Sequence, residues 1–164
     1  MIQSDAAFVV ESLAREPIVR YCYCRPGSNG MSPPQRVFHS SQLRKRAFIA
    51  ANKIGKSYAG AFEAWAHLLG RHPLREVPLP GSEGWLLAPD LKTGWKTASK
   101  AMRQLEPIGT LDVSCRYVEG IGYLYRGQKI IKLSDNYGGG IMVGKGCEQT
   151  LLALEGERVN WAWV

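Results

Sequence analysis

Lys56 and Ser57 end the run Ala50-Ala51-Asn52-Lys53-Ile54-Gly55-Lys56-Ser57. Its spacing is that of the phosphate-binding pattern G-x-x-x-x-G-K-[ST], with Ala in place of the first glycine. In such a loop, backbone N–H groups point at an anion and a helix dipole favours its negative charge. Lys56 would reach the β- and γ-phosphates of a nucleotide as a point charge, and the Ser57 hydroxyl would ligate Mg²⁺. The plainer reading of the same residues is a tight strand-to-helix turn with a solvated Lys56.

A loop of this kind needs a strand before it and a helix after it. Ala47 to Ala50 reads as a buried strand. Ser57 to Leu69 reads as a helix, with Phe62, Ala66 and Leu69 at helical spacing, a stop at Gly70 and Pro73 beyond. The unit recurs: Gly84 to Ala88 is a continuous apolar run, and Asp90 can cap a helix running to about Leu105. Strand, loop and helix in succession predict an α/β fold, a mostly parallel sheet flanked by helices.

Between Leu111 and Val143 the pattern changes to short β-rich pieces, Ile121–Tyr125, Lys129–Leu133 and Ile141–Val143. They predict an antiparallel excursion on the sheet edge, with Arg126-Gly127 as a hairpin turn. Gly138-Gly139-Gly140 reads as a turn, because no Gly-Lys-Ser follows it. Glu148–Leu154 reads as a helical turn or short helix, and Val159–Val164 as an apolar, β-prone segment. At the other end, residues 5–15 suit a short amphipathic helix bearing Phe8, Val9 and Leu13. Tyr21–Cys24 suits a strand or extended segment, and Pro26–Pro34 a linker or an exposed loop. The expected division is an N-terminal extension and linker over 1–34 and one domain over 35–164.

The 164 residues are 45% apolar and 21% charged, ordinary globular composition. A net charge of +7 points to a polyanionic partner, nucleic acid or nucleotide, against the alternative of a merely basic surface. The four cysteines, Cys22, Cys24, Cys115 and Cys147, lack the usual zinc spacing and read as buried or free thiols in a reducing compartment. His39, His67 and His72 do not suggest a metal site, since His67 and His72 lie on different sides of a helix. No secretory signal is evident, and no apolar run reaches the roughly 18 residues of a membrane span.

Gln35-Arg36-Val37-Phe38-His39-Ser40, followed by Arg46-Ala47-Phe48-Ile49-Ala50-Ala51-Asn52-Lys53-Ile54-Gly55-Lys56-Ser57, carries a resemblance. A Gln and an aromatic shortly before an Asn-basic-x-Gly-Lys-Ser core resemble the N-terminal ATPase half of the large subunit of tailed-phage DNA packaging terminases. Glu148-Gln149-Thr150 and Leu154-Glu155-Gly156-Glu157-Arg158 are similar to the family's segment before its acidic ATPase motif, and Val159–Val164 to that motif's strand. The resemblance implies a P-loop NTPase-like fold, ATP and Mg²⁺ as cofactors, and hydrolysis coupled to movement of double-stranded DNA into a procapsid. In the full-length family member it further implies portal protein and small terminase subunit as partners, self-association into a ring, and a place in the host cytoplasm and transiently at the portal, with no membrane. Its nucleotide site would comprise Gln35, Phe38, Ala51, Asn52, Lys53, Ile54, Gly55, Lys56 and Ser57. Lys56 and Lys53 would be catalytic, Lys53 acting on the γ-phosphate, and Ser57 would hold the metal. The family's metal-holding Asp and water-orienting Glu follow the point where this chain stops. The resemblance therefore implies a partial ATPase domain without the nuclease half, inactive by itself: a truncated frame, a prophage remnant or a deliberately shortened chain.

Each role has a plainer counterpart. Gln35 is a candidate for adenine through its carboxamide, or a solvated glutamine. Phe38 would pack on adenine, or serve as a core aromatic. Lys53 would otherwise be solvated. Asp90 would assist Mg²⁺ or water, although a helix cap is the preferred reading. Arg44-Lys45-Arg46 would face DNA or a neighbouring subunit, or only solvent. Trp161 and Trp163 read as packing residues. Two other functions compete: a different P-loop enzyme such as a small-molecule kinase, although no arginine-rich lid follows the first helix, and a basic nucleic-acid-binding module indifferent to ATP.

Overall fold

The computed structural model describes residues 16–23, 30–49, 51, 55–77, 79–147 and 159–164. At its centre is β1 (Glu83–Ala88), the expected apolar run. β5 (Ile141–Gly146) pairs with it in parallel on one side, from Glu83↔Ile141 to Ala88↔Gly146. On the other side β6 (Trp161–Trp163) pairs in parallel, from Gly84↔Trp161 to Leu86↔Trp163. β4 (Ile130–Lys132) runs antiparallel to β5 and gives the order β4-β5-β1-β6. The fold is thus α/β, a mixed and mostly parallel sheet flanked by helices.

Two long helices cover the sheet. α3 (Lys56–Leu68) is buried almost all round, with Ala59, Ala61, Phe62, Ala64, Trp65, Ala66 and Leu68 inside. α4 (Leu91–Gln104) is amphipathic. Trp95, Ala98 and Met102 face the core, while Lys92, Lys96, Lys100 and Arg103 are exposed. Indole N–H groups fasten the layers: Trp65 donates to the Met102 carbonyl and Trp95 to the Tyr123 carbonyl, each at 2.9 Å. Buried indoles need such partners. Beside α4 lies a separate hairpin of β2 (Cys115–Val118) and β3 (Gly122–Tyr125). Among the described residues no helix is long and apolar enough to cross a membrane.

Contacts with β6 fix the direction of α3. The ring of Trp161, at the start of the strand, lies 5.3 Å from that of His67, near the end of the helix. Trp163, two residues on, lies against Gly60, in the helix's second turn. Helix and strand therefore run antiparallel, and the N-terminus of α3 stands at the carboxyl edge of the parallel strands, where α/β sheets place ligands.

Several expectations need correction. Residues 47–49 form no strand: Ala47 is exposed, Ile49 is 93% exposed, and among the described residues no ladder partner lies beside them. A strand exists only through its pairing, and here Phe48 instead stacks on Phe38. Tyr21-Cys22-Tyr23 is not extended but ends α1 (Pro17–Tyr23). Tyr21 and Cys22 are consecutive and both buried, which a helix permits and strand alternation does not. Pro33-Pro34 belongs to no linker but opens α2 (Pro33–Ser40), where the missing proline N–H costs nothing. Ile141–Val143 does pair antiparallel with β4 at the edge, but on its other side it also joins the parallel core through β1. Arg126 (φ 52°) and Gly127 (φ 83°) do make a tight left-handed turn, closed by reciprocal bonds between Tyr125 and Gln128. Residues 5–15 and 148–154, also assigned helical character from sequence, lie outside the described residues.

The helix–strand contact makes a prediction whose sign is unusual. In an ordinary helix Gly→Ala gains roughly 1 kcal/mol. At Gly60 a Cβ would come 2.3 Å from the Trp163 ring. Gly60→Ala should therefore destabilise the protein by about 1–3 kcal/mol through overpacking, read as a lower urea midpoint. A gain in stability would show that α3 does not lie on β6 in this way.

Candidate functional site

Of the phosphate-loop residues, Ala51, Gly55, Lys56 and Ser57 are described, whereas Asn52, Lys53 and Ile54 lie outside the described residues, as does Ala50. Gly55 is the N-cap of α3 with φ 80° and ψ 25°, a left-handed conformation that favours glycine. Its carbonyl accepts the first helical bond, from the Ala59 N–H at 2.9 Å. The amides of the first turn behind it have no acceptor within the helix, and that turn holds no acidic residue. Lys56 Nζ donates to the Ala51 carbonyl at 2.9 Å, so its side chain folds back toward Ala51. Ser57 is exposed. Together, a helix N-terminus, a left-handed glycine and a lysine make chemistry that favours an anion.

Gln35 is brought directly to this loop. Its Nε2 donates to the Gly55 carbonyl at 3.1 Å, and its Oε1 accepts from the Ser32 N–H at 2.8 Å. Only 5% of Gln35 is exposed. Phe38, one turn along α2, stacks on Phe48 with 5.4 Å between centroids and carries the Arg46 guanidinium 4.9 Å above its ring. Asp90, at the carboxyl end of β1, caps α4, accepting from the Lys92 N–H at 2.9 Å and the Thr93 N–H at 3.3 Å. Hydrogen bonds, first from the Thr93 side chain and then from the Lys92 amide, hold its carboxyl below the ordinary value.

A cluster that sequence reading missed lies deeper, around Glu63 in the middle of α3. Oε1 accepts from His39 Nδ1 at 2.7 Å, Arg46 at 3.0 Å and His72 Nε2 at 3.3 Å. Oε2 accepts from Arg46 at 2.9 Å and Arg75 at 2.5 Å. The Leu74 N–H donates to His72 Nδ1 at 3.1 Å, which leaves the proton of His72 on Nε2, facing the carboxylate. Tyr21 closes the other side, its hydroxyl 3.0 Å from His39 Nε2. Burial would raise the Glu63 carboxyl, but the bonds from His39, His72 and Arg46 and the charge of Arg75 outweigh it and hold it far below the ordinary value. Burial lowers His39 and His67 below the ordinary 6.5, against the bonds to Glu63 that raise them.

His39, Glu63 and His72 bring their ligand atoms within 4.8 Å of one another, close enough for a metal ion. Their bonding argues otherwise. The facing nitrogens carry protons that donate to Glu63, and one carboxylate against two guanidiniums leaves the cluster net positive. It is a structural ion network. Its five side chains are scattered from 39 to 75, which hid it; the available signal was one carboxylate inside the apolar run Ala61-Phe62-Glu63-Ala64-Trp65-Ala66, since a buried Glu must be paired.

Among the described cysteines none is in a disulfide, and burial pushes the Cys22 thiol up to about 12, as suits an inert core thiol. A cavity of about 910 Å³ lies at the far end of α3, lined by Ile18, Leu69, Arg71, Leu79 and Ile108 among others, and includes no residue of the phosphate loop. With the geometry in hand, comparison with family models, curated proteins and solved structures finds no match.

Two outcomes follow from the Glu63 network. Glu63→Gln would leave Arg46 and Arg75 buried without their counter-charge and should cost about 3–5 kcal/mol, measured by urea denaturation; a loss under about 1 kcal/mol would mean that the pairs are solvated surface bridges. The pH dependence has one sign throughout. His39 and His67 have folded values below the unfolded 6.5, so their contribution is complete above pH 6.5 and declines as pH falls through it. Glu63 has a folded value below the unfolded 4.5, so its contribution is complete above 4.5 and is lost on further acidification. Melting temperature should fall from pH 6.5 downward and steepen below 4.5; a flat profile from pH 7 to 4 would contradict the network.

Proposed function

We propose that this chain is the nucleotide-binding part of a DNA-packaging motor of the terminase large-subunit kind, with a P-loop NTPase-like fold. The observation that carries the reading is the position of α3. Its glycine-opened N-terminus stands at the carboxyl edge of three parallel strands, with the Lys56-Ser57 pair on its first turn. A helix N-terminus, a conformationally special glycine and an adjacent lysine form the chemistry that a polyphosphate needs. The first-turn amides and Lys56 would hold the phosphates of ATP, and Ser57 would hold Mg²⁺, which supplies charge neutralisation between phosphate oxygens when bound. Lys53 would add a second positive charge at the γ-phosphate. Of the two residues that the resemblance sets before the loop, Gln35 bonds to Gly55, and Phe38 lies on the same helix against Phe48.

DNA would engage the outer face of α4. Lys92, Lys96 and Lys100 recur every four residues, about 6 Å apart along the helix. All three are exposed, and the helix contains no acidic residue. Among the described residues Lys96 and Lys100 have no ion-pair partner. The Arg44-Lys45-Arg46 run contributes less than its charge suggests, because Arg46 is turned inward to Glu63. The kinase alternative is disfavoured by the arginines near the end of α3: Arg75 is bound to Glu63, which leaves it unfit for a mobile phosphate-binding lid.

Two measurements test this reading. Titration calorimetry with Mg²⁺-ATP should show binding that Lys56→Ala abolishes; equal binding by both proteins would remove the phosphate site from Lys56. Replacing Lys92, Lys96 and Lys100 together by Gln should reduce the salt dependence of duplex DNA binding by about 2.7 in log–log slope, about 0.9 per phosphate contact. An unchanged slope would move the DNA surface elsewhere. DNA binding without any ATP binding would favour the plain nucleic-acid module.

A further inference from the structure

We infer that Gln35 is a positioning residue for the phosphate loop, holding Gly55 in place rather than reading the nucleotide base. The inference rests on the nucleotide site proposed above. A carboxamide recognises adenine by offering a donor and an acceptor side by side along one base edge. In Gln35 the two ends serve different chain segments: Oε1 takes the Ser32 N–H at the start of α2, and Nε2 gives a hydrogen to the Gly55 carbonyl. The side chain is almost wholly buried, so turning it toward a base would break at least one of these bonds.

The fit at Gly55 points the same way. A Cβ built there would lie 2.7 Å from Gln35 Nε2, a separation that real Cβ atoms do not adopt. Gly55 is therefore favoured by its left-handed backbone, and a side chain there would push the Gln35 carboxamide off the Gly55 carbonyl. The bond also forms one end of a strut. α2 meets α3 at Gln35–Gly55 and again at His39–Glu63, where the distance is 2.7 Å. Two fixed points set how the chain enters α3, and hence where the amides of Lys56 and Ser57 aim. A loop ordered before its ligand arrives binds more tightly, because less freedom is lost on binding.

The test separates phosphate positioning from base reading by using ligands with and without a base. Mg²⁺-ATP, Mg²⁺-GTP and Mg²⁺-tripolyphosphate are titrated into the parent chain and into Gln35→Met, which keeps the side-chain length and removes both hydrogen bonds. All three ligands should weaken by one common factor, about 3- to 10-fold for the loss of an ordering bond. If ATP alone weakens while tripolyphosphate is unchanged, Gln35 reads the base and the inference falls; unchanged affinity for all three overturns it as well. Val37→Gly serves as the control, since Val37 is 72% exposed on the same helix. It should lower the melting temperature and leave the affinities intact, and a matching loss would assign the effect to helix stability instead. Should Gln35→Met lose cooperative unfolding, Gln35→Asn, too short to reach Gly55, takes its place with the same expected pattern. A parent chain that binds none of the three ligands would overturn the nucleotide site itself, an outcome distinct from each of these.

Discussion

The arrangement depends first on Glu63. A carboxylate in the middle of a helix that is apolar on every other face is costly to bury unless it is paired. Here it gathers side chains from α2, from the segment before the phosphate loop and from the turn after α3. These elements are thereby fixed to one helix. α2 is only eight residues long, too short to persist alone. Its His39 contact with Glu63 and its Gln35 contact with Gly55 give it a defined place on α3. Without that network the loop would still have its sequence, but not its position.

A second constraint is the absence of side chains where α3 and the sheet approach closely. Gly60 leaves room for the Trp163 ring, and Gly84 leaves room for the Trp161 ring. The tryptophans of β6 thus fix the distance between helix and sheet, and their order along the strand fixes the helix direction. His67, beside Trp161, belongs to the same contact, and its Nδ1–H is bonded to the main-chain carbonyl of Glu63 at 2.7 Å. The ion network and the sheet contact therefore share one helix, and its N-terminal turn projects past both.

What the sequence revealed and what it hid divide along the range of the interactions. α3, β1 and α4 were legible because their signals are local: helical spacing from Phe62 to Leu69, an unbroken apolar run at Gly84–Ala88, and Asp90 as a cap. The Arg126-Gly127 turn was legible because it is likewise local, whereas β3 joins β2 in a separate hairpin and not the sheet edge, and β2 itself was not read. Residues 47–49 and 21–23 were misread because β-branched and aromatic composition was taken for pairing. Pairing is decided by neighbours, and at 47–49 the neighbour is Phe38 rather than a strand. β5 was read only for its antiparallel edge with β4, and its parallel pairing with β1 was missed, because a short apolar segment does not declare its partners. Of the candidate site, Gly55, Lys56 and Ser57 could be read from spacing, but the two ends of the Gln35 carboxamide could not, since Ser32 and Gly55 lie on opposite sides of it in the chain.

The two special features of α3 act in the same electrostatic sense. Lys56 and Glu63 are seven residues apart, about 10 Å along the helix. The Glu63 network holds one negative and two positive charges, so it presents net positive charge to its surroundings rather than the negative charge that a lone carboxylate would. That sign adds to the positive end of the helix dipole and to Lys56. A cation has little reason to settle at the network, and the positive potential at the helix start favours an anion. Had only one guanidinium reached Glu63, the interior of α3 would be neutral and the loop would rely on its own amides and lysine. The second, Arg75, comes from the turn that ends the helix, so the far end of α3 contributes to the field at its beginning.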